Sequence, residues 1–217
     1  MQRKILSKTL ITSLVASTFL LSGCSESQSK AEVVKEKPKT EVQAQAKQEE
    51  PKVVYTKHEN VVNDVFKDIA RIGPEGKFML IVFGTNTDPY SDRLKADIKN
   101  SSELTSMLKE KMNSYYVKAH ENKRMKLYHE GDYMDVDTKT MISIYGVDAT
   151  PTLIFADKKG KAVIVVPGYM PTAQFIETIK FMESNKWEGK DRKNGEVYEA
   201  LRDHYIANGI NVRKKES

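Results

Sequence analysis

The sequence predicts an α/β domain: a central mixed β-sheet flanked by helices, with a hairpin inserted into it and an extra helix at its C-terminal end. Three observations carry that expectation. Residues 78–83 read Phe-Met-Leu-Ile-Val-Phe, an apolar run too short for a buried helix and typical of a strand covered on both faces. A Gly-Thr-Asn-Thr turn follows, and helical spacing begins at Asp88-Pro89. Farther on, apolar runs at 152–156 and 162–166 are joined by Asp157-Lys158-Lys159-Gly160, the pattern of a tight antiparallel return.

The other elements follow in order. Val62, Val65, Phe66 and Ile69 recur at helical spacing, and Gly73-Pro74 would stop a helix over 59–72. After the strand at 78–83, Asp88 is suited to accept from orphan helical N–H groups, and Pro89 suits the first helical position. Leu94 and Ile98, four apart, share the face that packs back on the strand. Ser102 is expected to cap a second amphipathic piece with Leu104, Met107, Leu108 and Met112 as core filler. Residues 115–119 read as a parallel strand. Alternating runs on either side of His129-Glu-Gly-Asp132 predict the inserted hairpin. A short helix over 138–145 should close at Gly146. Thr172 is expected to cap a helix over 173–184 that buries Phe175, Ile176 and Ile179. Val197, Leu201 and Tyr205 form one stripe of a helix over 196–207, stopped by Gly209. That stripe either docks on the domain or binds a partner.

Two motifs resemble those of thioredoxins. One is the strand, loop and helix start ending in Asp88-Pro89-Tyr90-Ser91. The other is Gly146-Val147 followed by Thr150-Pro151-Thr152 and Leu153-Ile154-Phe155. Together with Pro167-Gly168-Tyr169 they are similar to SoxW-like periplasmic thioredoxins, whose loop carries Cys-Pro-Tyr-Cys. The resemblance implies a thioredoxin-like fold, a cis proline at Pro151, and a peptide-binding surface around Thr150, Pro151, Gly168 and Tyr169. It also implies that 88–91 is a degenerate active-site motif, with both cysteines replaced. A carboxylate at Asp88 suits a helix N-terminus, as a thiolate would, but it is no nucleophile toward a disulfide. Ser91 reads as helix surface; nothing places His120 or His129 beside it as a base.

The chain of 217 residues holds one cysteine, Cys24. No intramolecular disulfide can form, and dithiol exchange needs an attacking thiolate and a resolving sulfur. The formal net charge is +5. Arg3, Lys4 and Lys8 lie in a segment expected to be removed, which leaves about +2. That balance gives no support to nucleic acid as a partner. The histidines are scattered, without His-x-x-x-His or Cys-x-x-Cys spacing, and no phosphate-binding Gly-rich loop occurs. No metal and no cofactor are expected.

The N-terminus carries Arg3, Lys4 and Lys8, a short apolar stretch over 10–21, and Leu21-Ser22-Gly23-Cys24. The apolar stretch is below the roughly 20 residues of a membrane span. The order resembles the signal and lipobox of bacterial lipoproteins. The resemblance implies cleavage before Cys24 and lipid on its sulfur, which anchors the chain to an envelope membrane facing the periplasm. By the sorting rule of such lipoproteins, Ser25 after the cysteine favours the outer membrane over the inner. Residues 24–52, poor in aromatics and rich in Lys, Glu and Gln, read as a disordered tether with an r.m.s. span of about 30 Å. The expected organisation is a signal peptide over 1–23, the tether over 24–52, the thioredoxin-like domain over 53–185 and a helical extension over 186–217.

Three functions are compatible with these readings. The first is a redox-inactive lipoprotein that binds an envelope protein or peptide through Tyr90, Thr150, Pro151, Gly168 and Tyr169. The second is a structural subunit of an envelope apparatus, such as one for secretion or conjugation, that uses the tail helix or the hairpin. The third is an accessory of a thiol–disulfide pathway.

Overall fold

A computed structural model describes residues 63–129 and 131–212. The expected leader, Cys24 and the tether lie outside these residues. The elements are β1 (Arg71–Ile72), β2 (Phe78–Gly84), α1 (Pro89–Asn100), α2 (Ser102–Glu110), β3 (Met112–Lys118), β4 (Arg124–His129), β5 (Asp132–Asp137), α3 (Thr138–Tyr145), β6 (Thr152–Ala156), β7 (Ala162–Pro167), α4 (Thr172–Glu183) and α5 (Glu196–Ala207). Four strands form one sheet in the order β3-β2-β6-β7, and β1-β4-β5 form a second. β2 runs parallel to β3 and antiparallel to β6, which pairs antiparallel with β7. The sheet is therefore mixed, as the sequence predicts.

β2 is buried along its whole length, and its alternation divides the interior in two. Phe78, Leu80 and Val82 face a cluster with Leu94 and Ile98 of α1, Leu104 and Leu108 of α2, and Phe175 and Ile179 of α4. Met79, Ile81 and Phe83 face a second cluster with Met125 and Leu127 of β4, Val136 of β5 and Met141 of α3. A period of two on a strand sends successive residues to opposite faces, so one apolar run supplies both cores.

The helix expected over 59–72 is not what forms in its described part, which is helical only over 63–65. Lys67 N–H instead donates to the Ser114 carbonyl at 2.8 Å. The Asp68 carboxylate accepts from Ala70 N–H at 2.6 Å, and Arg71–Ile72 pair with β4. The physical reason is that Val65 and Phe66 pack in the first cluster while Ile72 packs in the second. A straight helix with one apolar stripe cannot reach both sides of a sheet.

Two caps also differ from expectation. Ser101, not Ser102, caps α2, accepting from Leu104 N–H at 3.2 Å. Pro171 holds the cap position of α4 without a side-chain bond, and Thr172 is the first helical residue. β3 starts at Met112 rather than 115, because it pairs with β2 from Phe78 onward. The hairpin forms from β4 and β5, and Gly146 closes α3 in the left-handed region, where a glycine is favoured.

The extension docks on the domain. Val197, Leu201 and Tyr205 join the first cluster, and Trp187 Nε1 donates to the Met182 carbonyl at 2.9 Å. The Arg192 guanidinium donates to the Ala162 carbonyl at 2.7 Å, and Tyr198 Oη accepts from Val165 N–H at 3.2 Å. These bonds occupy the outer edge of β7, which would otherwise offer a template for strand pairing.

Candidate functional site

The loop between β2 and α1 is built around its helix start. Asp88 sits at the cap position with an extended backbone. Its carboxylate accepts from the N–H groups of Tyr90 (2.9 Å) and Ser91 (3.2 Å), and from Ser91 Oγ (2.8 Å). The first N–H groups of a helix lack intrahelical partners, and the dipole favours an anion there. In this chain that anion is its own side chain.

Ser91, expected on the helix surface, is fully buried. Its Oγ accepts from Thr85 N–H at 3.2 Å while it donates to Asp88. The burial follows from Gly84, which has no side chain to keep α1 away. A Cβ placed on Gly84 would lie 3.0 Å from Ser91 Oγ and 2.6 Å from Tyr116 Cζ. Gly84→Ala is therefore expected to cost about 2–3 kcal/mol by overpacking, read as a lower urea midpoint at unchanged m-value.

Behind the loop lies a buried polar group that the sequence reading missed. Lys95 is 2 % exposed. Its Nζ stands 3.3 Å from Asp92 Oδ1 and 3.4 Å from Asn86 Oδ1, with the Tyr116 ring 5.1 Å away. A charge this deep is tolerated because it is paired, hydrogen-bonded and set over an aromatic face. Burial raises the pKa of the Tyr116 hydroxyl, with hydrogen bonding from Ser91 acting against it. The hydroxyl therefore stays protonated at neutral pH and donates to the Thr85 carbonyl. The available signal was a polar stripe at helical spacing, Asp88, Ser91, Asp92 and Lys95, that runs inward beside Leu94.

The second half of the site is the turn before β6. Thr152 lies opposite Phe83 in the antiparallel register, so Thr150 and Pro151 continue past Gly84 at the sheet end that carries the Asp88 loop. The Thr150–Pro151 peptide bond is cis. Gly168 N–H donates to the Pro151 carbonyl at 2.7 Å, which joins this turn to the end of β7. Tyr169 is tied to α1: its hydroxyl donates to Asp97 Oδ2, and the Arg93 guanidinium carbon lies 4.4 Å from its ring centre. Burial first, and then Asp97, push the Tyr169 hydroxyl up to about 12. It therefore remains a donor at neutral pH.

Tyr90 is free by contrast, 56 % exposed beside the buried Ser91. The structure thus brings Asp88 and Ser91 into contact, joins Pro151 to Gly168, and puts both loops at one sheet end. Among the described residues no histidine is brought to Ser91, whose Oγ meets Asp88 and Thr85; His120 Nε2 is instead 3.7 Å from Glu121. Among the described residues no three His, Cys, Asp or Glu side chains are grouped to hold a metal ion.

The class defined by this fold is a familiar one. A family described as a thioredoxin-like domain matches residues 65–183. A thioredoxin-fold protein from Helicobacter pylori is 32 % identical, covering 70 % of this chain and 96 % of its own, with a TM-score of 0.64. An uncharacterised thioredoxin-like protein from Clostridium perfringens is 21 % identical over 60 % of this chain and 89 % of its own, with a TM-score of 0.38. An exposed lipoprotein thioredoxin from Streptococcus pneumoniae is 20 % identical over 49 % and 86 %, with a TM-score of 0.36. No curated protein matches the chain. The chain belongs to the thioredoxin-like family.

Proposed function

We propose that this protein is a redox-inactive, SoxW-like member of that family, a lipoprotein of the bacterial envelope that holds a protein or peptide segment against its Tyr90 and Thr150–Pro151 surface. One observation carries the reading: the single cysteine is Cys24, so the family-matched residues 65–183 contain no thiol. A dithiol exchanger needs two. In place of cysteines, residues 88 and 91 carry a carboxylate and a hydroxyl that bond to each other. Binding of an extended segment by its backbone needs no sulfur. Tyr90 offers an exposed aromatic ring, the side-chain type that most often anchors an interface.

Cys24 carries the lipid in this reading and holds the domain on the periplasmic side, with the outer membrane favoured. The alternative of a subunit in a larger envelope assembly through the tail helix is less supported, because the apolar stripe of α5 is already used inside the domain. The hairpin, with Met134 exposed, is what that alternative retains.

The test is capture of envelope proteins by the full chain, compared with a Tyr90→Ala, Thr150→Arg double variant. The expected loss is about 2 kcal/mol or more, about thirtyfold or more in affinity. If the wild type captures nothing, or the variant binds equally well, the reading is wrong.

A further inference from the structure

The end of the sheet opposite the Asp88 loop carries a different surface. Lys77 precedes β2 and Lys111 precedes β3, whose first residues pair. Lys158 and Lys159 lie in the β6–β7 turn, at the same end because Ala156 pairs with both Met79 and Ala162. Lys186 and Lys190 flank Trp187. All six lysines are exposed. Lys158, Lys159 and Trp187 line one surface pocket of about 420 Å³ with Phe78, Asn185, Asp157 and Glu188. The Lys158 ammonium lies 5.1 Å from the Phe78 ring centre. Opposing charges here are Asp157, Glu188 and Glu183, the last paired to Lys111 at 3.1 Å, so the lysines exceed these acids by three; Asp191 beside Lys190 is offset by Arg192, which bonds the Ala162 carbonyl, and Glu75 by its partner Lys67. Lys109 and Glu110 at the end of α2 cancel.

We infer that this lysine-rich pole, with Trp187 at its centre, docks on the anionic phospholipid headgroups of a bilayer. The chemistry fits that occupant. Clustered lysines are attracted to an anionic leaflet within a screening length. A half-buried indole among them suits the headgroup level, where amphipathic rings concentrate. An extended spread of lysines over strand starts, a turn and a helix end suits a plane of headgroups better than a single small anion. The geometry adds an orientation. β2 has seven residues, about 23 Å of strand, so docking by this pole holds Tyr90 and Pro151 on the far side of the domain, away from the lipid. Proximity to a membrane rests on the lipid proposed for Cys24; the affinity of the pole does not.

Trp187 is the only tryptophan, so its emission reports this surface alone. The experiment adds the full chain to vesicles containing a dansyl-headgroup lipid, with either phosphatidylcholine alone or phosphatidylcholine with phosphatidylglycerol, and measures energy transfer from Trp187. Transfer should be several-fold higher on the anionic vesicles and fall to the zwitterionic level in about 1 M salt, where the screening length is about 3 Å. Lys158→Glu with Lys159→Glu should lower it at least fivefold, whereas Lys126→Glu with Lys139→Glu, on β4 and α3, should leave it unchanged. Equal transfer on both vesicle types, or retention of transfer by the Lys158, Lys159 variant with unchanged circular dichroism, overturns the inference. The mass of the N-terminal peptide reports separately whether Cys24 carries lipid. A chain without lipid should still dock from solution, so the anchor and the pole fail independently.

Discussion

Asp88→Cys combined with Ser91→Cys is expected to form an internal disulfide and to catalyse the reduction of insulin by dithiothreitol, while the wild-type chain stays at the rate of dithiothreitol alone. The expectation rests on one contact. Ser91 Oγ and Asp88 Oδ2 are 2.8 Å apart, so side chains at these two positions already reach each other across the first helical turn. The environment suits a thiolate at residue 88, since the carboxylate there is stabilised by the N–H groups of Tyr90 and Ser91. Those donors and the helix dipole would depress the pKa of a thiol placed there. Residue 88 would attack and the buried residue 91 would resolve, which is the division of labour that exchange requires. Loss of the Asp88 cap costs about 1 kcal/mol, small beside a gain of activity from nothing. Free-thiol titration and mass before and after reduction give the disulfide; turbidity of insulin gives the activity. A double variant that stays fully reduced in air and turns over no insulin would falsify the idea that this loop keeps the geometry of a reactive turn.

The same loop shows what the sequence alone makes legible. Strand, turn and helix start could be read because each has a local cause: an apolar run, small polar turn residues, and a capping Asp before Pro. The inward turn of Ser91 and Lys95 has a distant cause. It depends on Gly84 leaving room beside Tyr116, and Tyr116 enters the chain from β3. A lysine next to Leu94 reads as surface until that packing is known. Residues 59–72 show the reverse failure. Their spacing satisfies a helix, but Ile72 belongs to the core on the other face of the sheet, and tertiary burial outweighs a local preference of a few tenths of a kcal/mol per residue. The stripe on α5 was visible, but its partner was not, because an apolar face looks alike whether it covers its own domain or another protein.

That partner matters for the second large effect. Removal of residues 186–217 is expected to abolish cooperative unfolding of the domain. The family match ends at residue 183, so α5 lies outside the shared domain, and yet it completes its first core. Val197, Leu201 and Tyr205 are 2, 5 and 7 % exposed. At about 1.5–3 kcal/mol for each buried side chain, their loss amounts to roughly 4.5–9 kcal/mol, comparable to the 5–15 kcal/mol that is the whole stability of an ordinary domain. The deletion also strips Phe181 and Met182 of α4 of their cover, and it frees the β7 edge now bonded by Arg192 and Tyr198. The truncated chain should show a broad, non-cooperative melt and bind an apolar dye, and it should associate through the bared edge. Leu201→Ala separates packing from chain length: it should cost about 2–4 kcal/mol while leaving a single sharp transition. A truncated chain that melts within about 1 kcal/mol of the full one would mean that α5 leaves the core at little cost. Its stripe would then be free for another protein, and the case for the assembly subunit would be restored.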